Sequence, residues 1–107
     1  MPVSPSSAAQ DARQAVADQL RALRQDAKLS AIGLAEQAGR RRTKISKIEH
    51  ATRPATTEDI RTWCSICGAD DQAADLITAA READSMYVEW RRAHRTGLRR
   101  MQEARKR

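Results

Sequence analysis

The sequence predicts an all-α protein, and three observations support that prediction. None of the 107 residues is phenylalanine, and two tryptophans and one tyrosine are the whole aromatic content. A core built from Leu, Ile, Val and Ala suits packed helices better than sheets. Frequent alanine and the scarcity of β-branched runs favour helices as well. A chain of this length is expected to form one helical domain.

Apolar spacing and end residues define the first three predicted helices. The first starts near residue 11, after a flexible tail over residues 1–10, and its apolar residues recur three or four positions apart: Val16, Leu20, Leu23 and Ala27. Ser30 is a suitable N-cap for a short second helix, which Gly39 ends because glycine tolerates left-handed backbone. The third helix runs from about Arg42 to His50, with its basic side chains outward.

Up to three more helices are predicted after Pro54, which breaks the third. Thr56 or Thr57 caps a fourth helix that Gly68 closes, with Asp59 placed to complete a capping box from Thr56. The buried stripe of this helix is Ile60, Trp63, Cys64 and Cys67. Asp70 caps a fifth helix that carries Leu76, Ile77, Ala80 and Ala83. A last helix from about Met86 carries the stripe Tyr87, Trp90, His94, Leu98 and Met101. Residues 70–107 thus form a C-terminal helical extension of a domain at 11–69.

Positive charge is concentrated in two blocks of the sequence. The formal net charge is +6 overall, made up of +5 over residues 40–53, −6 over residues 54–90 and +7 over residues 91–107. Such basic blocks attract polyanions, of which nucleic acid is the commonest in a cell. No apolar run reaches membrane-spanning length, so we expect a cytoplasmic, nucleoid-associated protein with no membrane contact.

Cys64 and Cys67 have the spacing of a thiol redox motif. That chemistry needs a cysteine at a helix N-terminus, where the helix dipole lowers the pKa of the thiol. Both cysteines instead lie near the end of a predicted helix at apolar positions, so structural thiols in a reducing compartment are expected. The two histidines, His50 and His94, have no recognised zinc spacing. We therefore expect no metal, no cofactor and no enzymatic activity.

Residues 29–54 have the plan of a helix-turn-helix, a motif whose second helix enters the DNA major groove. Over roughly residues 13–69 the sequence resembles Cro/CI-type (XRE family) regulators, and the matching positions are Leu29, Ser30, Leu34, Ala35, Ala38, Gly39, Ile45, Ser46, Ile48, Glu49, Arg53 and Pro54. Residues 88–98 also resemble an actinobacterial WhiJ-like subgroup. The resemblance implies a five- to six-helix Cro/CI (lambda repressor-like) domain that binds double-stranded DNA and regulates transcription.

The resemblance also implies roles for individual residues. Arg42, Thr43 and Lys47 are expected to read bases, and arginine is well suited to bidentate contact with guanine. The positions expected to contact phosphates are Ser30, Ala31, Arg40, Arg41, Lys44 and Arg53. Arg24 of the first helix is expected to pair with Glu49.

The sequence departs from the family pattern in the reading region. Ala31 stands where Gln is common, and Arg40 and Arg41 stand where an apolar residue and a Ser or Thr cap are usual. We therefore expect more phosphate attraction and less sequence discrimination. Ala51 replaces a common Gly, so the end of the third helix is expected to turn less sharply.

The apolar stripe of the last helix leaves several partners open. The stripe is expected either to pack on the domain, to form a dimer or to dock on a further domain. We expect a homodimer, because one recognition helix contacts few base pairs, and the subgroup resemblance implies a small partner protein. The alternative functions are a DNA-binding antitoxin and a partner-binding adaptor that uses the C-terminal helices for protein–protein interaction.

Overall fold

The computed structural model describes the backbone of residues 5–105 and the side chains of residues 8–93 and of Arg95. Over that range the chain has five α-helices, one 3₁₀ turn and no strand, so the all-α prediction is confirmed. The elements are α1 (Pro5–Asp26), α2 (Ala31–Ala38), α3 (Arg42–Glu49), α4 (Thr57–Ile66), the 3₁₀ turn (Asp70–Gln72) and α5 (Ala73–Arg105).

The predicted ends of α2 and α4 are present. Ser30 Oγ accepts a hydrogen bond from the backbone N–H of Gly33 at 2.9 Å, and Gly39 ends α2 with φ of 65°. At α4, the Asp59 backbone N–H donates to Thr56 Oγ1 at 3.0 Å, and the Thr56 N–H donates to Asp59 Oδ2 at 3.1 Å. These local bonds satisfy N–H groups that have no partner within the helix.

All five helices contribute to one core. Each provides a fully buried aliphatic side chain to it: Leu20, Leu34, Ile45, Ile60 and Leu76. Trp63 is buried among them, and its Nε1–H donates to the backbone carbonyl of Leu20 at 2.9 Å. The one polar atom of this indole is therefore satisfied inside the core.

The first helix begins earlier than predicted. The sequence predicted a flexible tail over residues 1–10, whereas α1 begins at Pro5 and Ala9 is fully buried. Proline suits a first helical turn, because the N–H that it lacks would have no partner there. The phenol of Tyr87 also donates a hydrogen bond to Gln10, which ties this end of α1 to α5. Residues 1–4 lie outside the described part of the chain.

One long helix replaces the last two predicted helices. Asp70 begins a 3₁₀ turn, and α5 then continues from Ala73 to Arg105 without a break near Met86. The boundary predicted there contains neither Gly nor Pro. Arg13 of α1 contacts α5 there, since it lies 3.5 Å from Asp84 and 4.0 Å from the ring centre of Tyr87. The predicted stripe positions His94, Leu98 and Met101 lie outside the described side chains.

The turn after α3 is sharper than predicted. Ala51 is buried and adopts φ of 58°, the left-handed conformation that glycine usually takes. Its N–H donates to the Ile48 carbonyl at 3.1 Å, and the Thr52 N–H donates to the Lys47 carbonyl at 3.0 Å. The helix therefore ends as it would with glycine, at a cost of about 1 kcal/mol in backbone strain.

The long α5 makes the molecule elongated. Its 33 residues correspond to about 50 Å of helix, whereas the 22 residues of α1 correspond to about 33 Å. The radius of gyration is 17.2 Å, compared with roughly 13 Å for a compact chain of this length. Among the described residues, no helix is both long and apolar enough to cross a membrane.

Candidate nucleic-acid interface

The outward face of α3 and its end is polar and cationic. Its inward residues Ile45, Ile48 and Glu49 are buried. The exposed residues of α3 and its end are Arg42, Thr43, Ser46, Lys47 and His50. The three predicted base-reading residues, Arg42, Thr43 and Lys47, are thus all exposed to solvent.

Ser46 and His50 lie on this face, although the sequence analysis gave neither a role in contacting DNA. Together with Thr43 and Lys47 they follow the three- and four-residue spacing of one helix face. His50 Nδ1 lies 2.7 Å from the Ser46 backbone carbonyl oxygen, so the ring is held against the end of α3. This spacing is visible in the sequence, whereas the family resemblance implies base reading only for Arg42, Thr43 and Lys47.

A buried carboxylate fastens α3 to α1. The guanidinium of Arg24 donates to both oxygens of Glu49, at 2.6 Å from Nε and 3.0 Å from Nη2. This hydrogen bonding raises the pKa of Arg24. Arg24 Nη1 also donates to the Leu29 carbonyl at 2.8 Å. The structure therefore brings the predicted pair together and extends it to the end of α1.

Arg21 is a second arginine on Glu49 that sequence reasoning missed. Its Nε lies 3.4 Å from Glu49 Oε1, and its Nη2 donates to the Glu49 backbone carbonyl at 3.0 Å. Arg21 and Arg24 are three positions apart, so both project from the same side of α1. Two cations therefore surround one carboxylate, which leaves a local excess of positive charge.

A second buried carboxylate, Asp59, fastens α3 to α4. Arg40 Nε and Lys44 Nζ lie 3.1 and 3.0 Å from Asp59 Oδ1. Burial raises the pKa of Asp59, but hydrogen bonds from the Thr56 backbone, Lys44 and Arg40 outweigh burial and lower it to about 2. Arg40 and Lys44 were predicted to contact phosphates, yet here both are engaged within the protein. The sequence identified Asp59 only as part of a helix cap.

Four cations near α3 have no acidic partner within the described residues: Arg41, Arg42, Lys47 and Arg53. Arg41 occupies the N-cap position of α3 without a capping bond from its side chain. Arg41, Lys47 and Arg53 border an open hollow beside α3, together with Gly39 and Thr43. Unpaired cations around a concave surface produce a positive potential that attracts anions.

The N-terminus of α2 has backbone N–H groups without a hydrogen-bond partner in the helix. Ser30 Oγ is occupied by the N–H of Gly33, and the Leu34 N–H bonds to the Ser30 carbonyl. The N–H groups of Ala31 and Ile32 belong to the first turn and have no partner within the helix. The predicted positions Ser30 and Ala31 thus stand at a helix end with a partial positive charge.

The comparisons with known proteins agree with this arrangement. A family model described as a helix-turn-helix domain matches residues 15–77. The chain belongs to this helix-turn-helix family. No curated protein and no solved structure matches the chain. The match spans most of α1, all of α2, α3 and α4, and the start of α5. The helix-turn-helix prediction is confirmed, while the XRE and WhiJ-like resemblances stay predictions.

The two cysteines of the helix-turn-helix protein are shielded from solvent to different degrees. Cys64 is fully buried, Cys67 is half-buried, and both are free thiols near the end of α4. Burial raises the pKa of both thiols, which disfavours the reactive thiolate. Within the described residues, no group of three metal-ligating side chains is present.

Proposed function

We propose that this helix-turn-helix protein is a sequence-specific, non-enzymatic transcriptional regulator that inserts α3 into the major groove of duplex DNA. The observation that carries the proposal is the exposed cationic surface of a helix that is held to α1 through Glu49 and to α4 through Lys44 and Asp59. A major groove admits an α-helix. A reading helix must also be held rigidly, because small displacements would misplace its side chains against base edges.

Base reading is assigned to Arg42, Thr43 and Lys47. All three are exposed, and Arg42 and Thr43 lie in the first turn of α3, the part of a recognition helix that meets base edges. Arg42 is suited to the O6 and N7 atoms of guanine, and Lys47 supports it or contacts an adjacent base. Thr43 fits a thymine methyl group or a phosphate.

Phosphate contacts are assigned to Arg41, to Arg53 and to the α2 N-terminus at Ser30 and Ala31. Arg41 and Arg53 are exposed and have no acidic partner among the described residues. Two cations on Asp59 leave one net positive charge, so Arg40 and Lys44 add to the field more than to direct contacts. Phosphate contacts of this kind strengthen binding to every DNA sequence alike.

We further propose that the protein binds DNA as a homodimer. One α3 of eight residues reaches only a few base pairs, which limits its specificity. Two copies that present their helices roughly 34 Å apart would read both halves of a pseudo-palindrome.

Selection of bound duplexes from a randomised library tests the proposal. Arg42→Ala is expected to lose preference at one base position, at a cost of about 1–3 kcal/mol for the preferred base. Arg61→Ala removes the same charge from an exposed site on α4 and should leave the preferred sequence unchanged. If the wild type does not shift any duplex at low salt and micromolar concentration, the proposal is wrong.

One observation favours a second function, in which α5 holds a small partner protein. With 33 residues against the 22 of α1, α5 is longer than its packing partner, and on it Val88 is 48% exposed. A DNA-binding antitoxin or an adaptor would use α5 in this way. Specific co-purification of one small protein, lost in Val88→Glu but retained in Arg42→Ala, would support this function.

A further inference from the structure

His50 directly follows α3 and lies on the same outward face as Thr43 and Lys47. Although the side chain is exposed, one ring nitrogen is held in place. His50 Nδ1 lies 2.7 Å from the Ser46 backbone carbonyl oxygen and 3.5 Å from Ser46 Oγ. The same carbonyl accepts the backbone N–H of His50 at 3.0 Å. The imidazole is therefore fixed against the end of the recognition helix.

The bond to a carbonyl decides which ring nitrogen carries the proton. A carbonyl oxygen only accepts hydrogen bonds, so Nδ1 must be the donor, and in the neutral ring Nε2 has a lone pair and no proton. When the ring takes up a second proton, Nδ1 keeps its bond and Nε2 becomes a charged donor. The ring can therefore become charged without changing its rotamer.

The charged groups near His50 on neighbouring elements are mostly cationic. Lys47 lies on α3, Arg53 lies in the following turn, and Arg21 of α1 donates to the backbone carbonyl of Glu49. The Glu49 carboxylate is buried and accepts from Arg21 and Arg24. Among the described residues no acidic side chain bonds to the imidazole, so an anion from outside the chain is the partner that a protonated His50 lacks.

We propose that His50 binds a DNA phosphate through protonated Nε2, so that DNA binding takes up one proton from solvent at this nitrogen. The inference rests on the proposed function. A phosphate is favoured over a base, because recognition helices meet base edges with their N-terminal residues and His50 stands at the C-terminal end of α3. In the neutral ring, the Nε2 lone pair would repel a phosphate oxygen. Histidine is the side chain whose ordinary change of charge falls between about pH 5 and 8.

Binding of a selected duplex, measured by fluorescence anisotropy at constant ionic strength, tests the inference. The wild type should bind about tenfold more tightly at about pH 6 than at about pH 8, and its salt dependence should be steeper by about 0.9 at the lower pH. His50→Gln cannot be protonated, so its affinity should be equal at both pH values and close to that of the wild type at about pH 8. His50→Arg is always charged and should bind tightly at both.

The other histidine of the chain provides the matched control. His94→Gln should keep the tenfold effect of pH, and the far-UV spectra of all variants should match that of the wild type. If His50→Gln keeps the pH dependence, or His94→Gln loses it, the role of His50 is wrong while DNA binding stands. If the wild type binds no duplex at either pH, both the inference and the proposed function fail.

Discussion

Lys28 and Ala51 are the residues other than glycine that adopt left-handed backbone in the described part of the chain, with φ of 62° and 58°. Lys28 lies in the turn just after α1, where the Leu29 N–H bonds to the Arg24 carbonyl at 3.1 Å. The left-handed conformation costs an L-residue roughly 1–2 kcal/mol, and glycine avoids that cost. Ala51 is buried, so a glycine there would also lose the packing of a methyl group. Lys28 is exposed and offers the cleaner test.

We predict that Lys28→Gly raises the free energy of unfolding by about 0.5–1 kcal/mol, since relief of strain exceeds the added entropy of glycine in the unfolded chain. Urea denaturation measures the change. Lys28→Ala removes the same charge but keeps the strained backbone, so it should show no such gain. Equal midpoints for the Gly and Ala variants would contradict the strain argument.

The elements around α3 are held by two buried carboxylates that differ in position and partners. Glu49 joins α3 to α1 through Arg21 and Arg24, and Asp59 joins the α2–α3 turn and α3 to α4 through Arg40 and Lys44. A buried carboxylate without its cations is costly, and so are cations left without their carboxylate. The placement of α3 therefore depends on charge pairing as well as on Ile45 and Ile48.

Glu49→Gln is expected to lower the free energy of unfolding by about 3 kcal/mol, because it leaves Arg21 and Arg24 facing a neutral amide. The matched control is Glu36→Gln, an exposed position on α2, which should change stability by less than about 0.5 kcal/mol. Chemical denaturation of both variants gives the comparison. A loss below about 1 kcal/mol for Glu49→Gln would show that the pair does not anchor α3.

Asp59 should make stability depend on pH in the acid range. Its pKa is about 2 in the folded protein against an ordinary value of 3.8, so the folded state favours the charged form. The stability that the charged Asp59 contributes is fully present above its pKa in the unfolded chain, near pH 4. It is lost as the pH falls through about 2, and it amounts to about 2 kcal/mol.

Denaturation of the wild type and Asp59→Asn at about pH 5, 3 and 2 measures that contribution. Asparagine can still accept the Thr56 N–H, so the cap is kept while the titration is removed. The variant should therefore lose less stability than the wild type between about pH 5 and 2. Parallel losses in the two proteins would assign the acid sensitivity to other groups.

At the scale of the whole molecule, the free cations around α3 should make DNA binding strongly dependent on salt. Arg41, Arg42, Lys47 and Arg53 are four exposed cations in one region. If Arg41 and Arg53, the two cations assigned to phosphates, each neutralise one phosphate in both protomers of the proposed dimer, the slope of log K against log salt is about −3.6. Affinity should then fall about a hundredfold between about 50 and 200 mM salt, as a titration would show.

Arg40 and Arg41 are neighbours, but within the described part of the chain only Arg40 pairs with an acidic side chain, so their alanine variants compare a paired with an unpaired charge. Arg41→Ala should reduce the slope by about 0.9 per protomer, because it removes one of the proposed phosphate contacts. Arg40→Ala should change the slope less and lower the stability of the fold instead, because Arg40 is bonded to Asp59. Equal changes of slope in the two variants would show that Arg40 leaves Asp59 when DNA binds.

Much of the fold could be predicted because its signals are local. Ser30 with Gly33, the Thr56–Asp59 capping box and the left-handed Gly39 each involve residues at most three positions apart or a single backbone angle. The apolar residues of α1 recur three or four positions apart, and this spacing likewise indicates one face of a single helix. The candidate reading surface follows in part from the same periodicity, because once Ile45 and Ile48 point inward, Thr43 and Lys47 must point outward.

Tertiary contacts decided features of the structure that these local signals do not determine. Tyr87 and Gln10, which are 77 positions apart, bond α5 to the N-terminal part of α1, and α5 stays continuous along α1 where a boundary was predicted. Arg40 and Arg41 are adjacent and chemically identical, yet one meets Asp59 and the other faces solvent. The sequence by itself determined which segments become helices and which charges they carry. Only packing decided which of those charges neutralise one another, because the desolvation of an ion pair depends on residues brought together from distant parts of the chain.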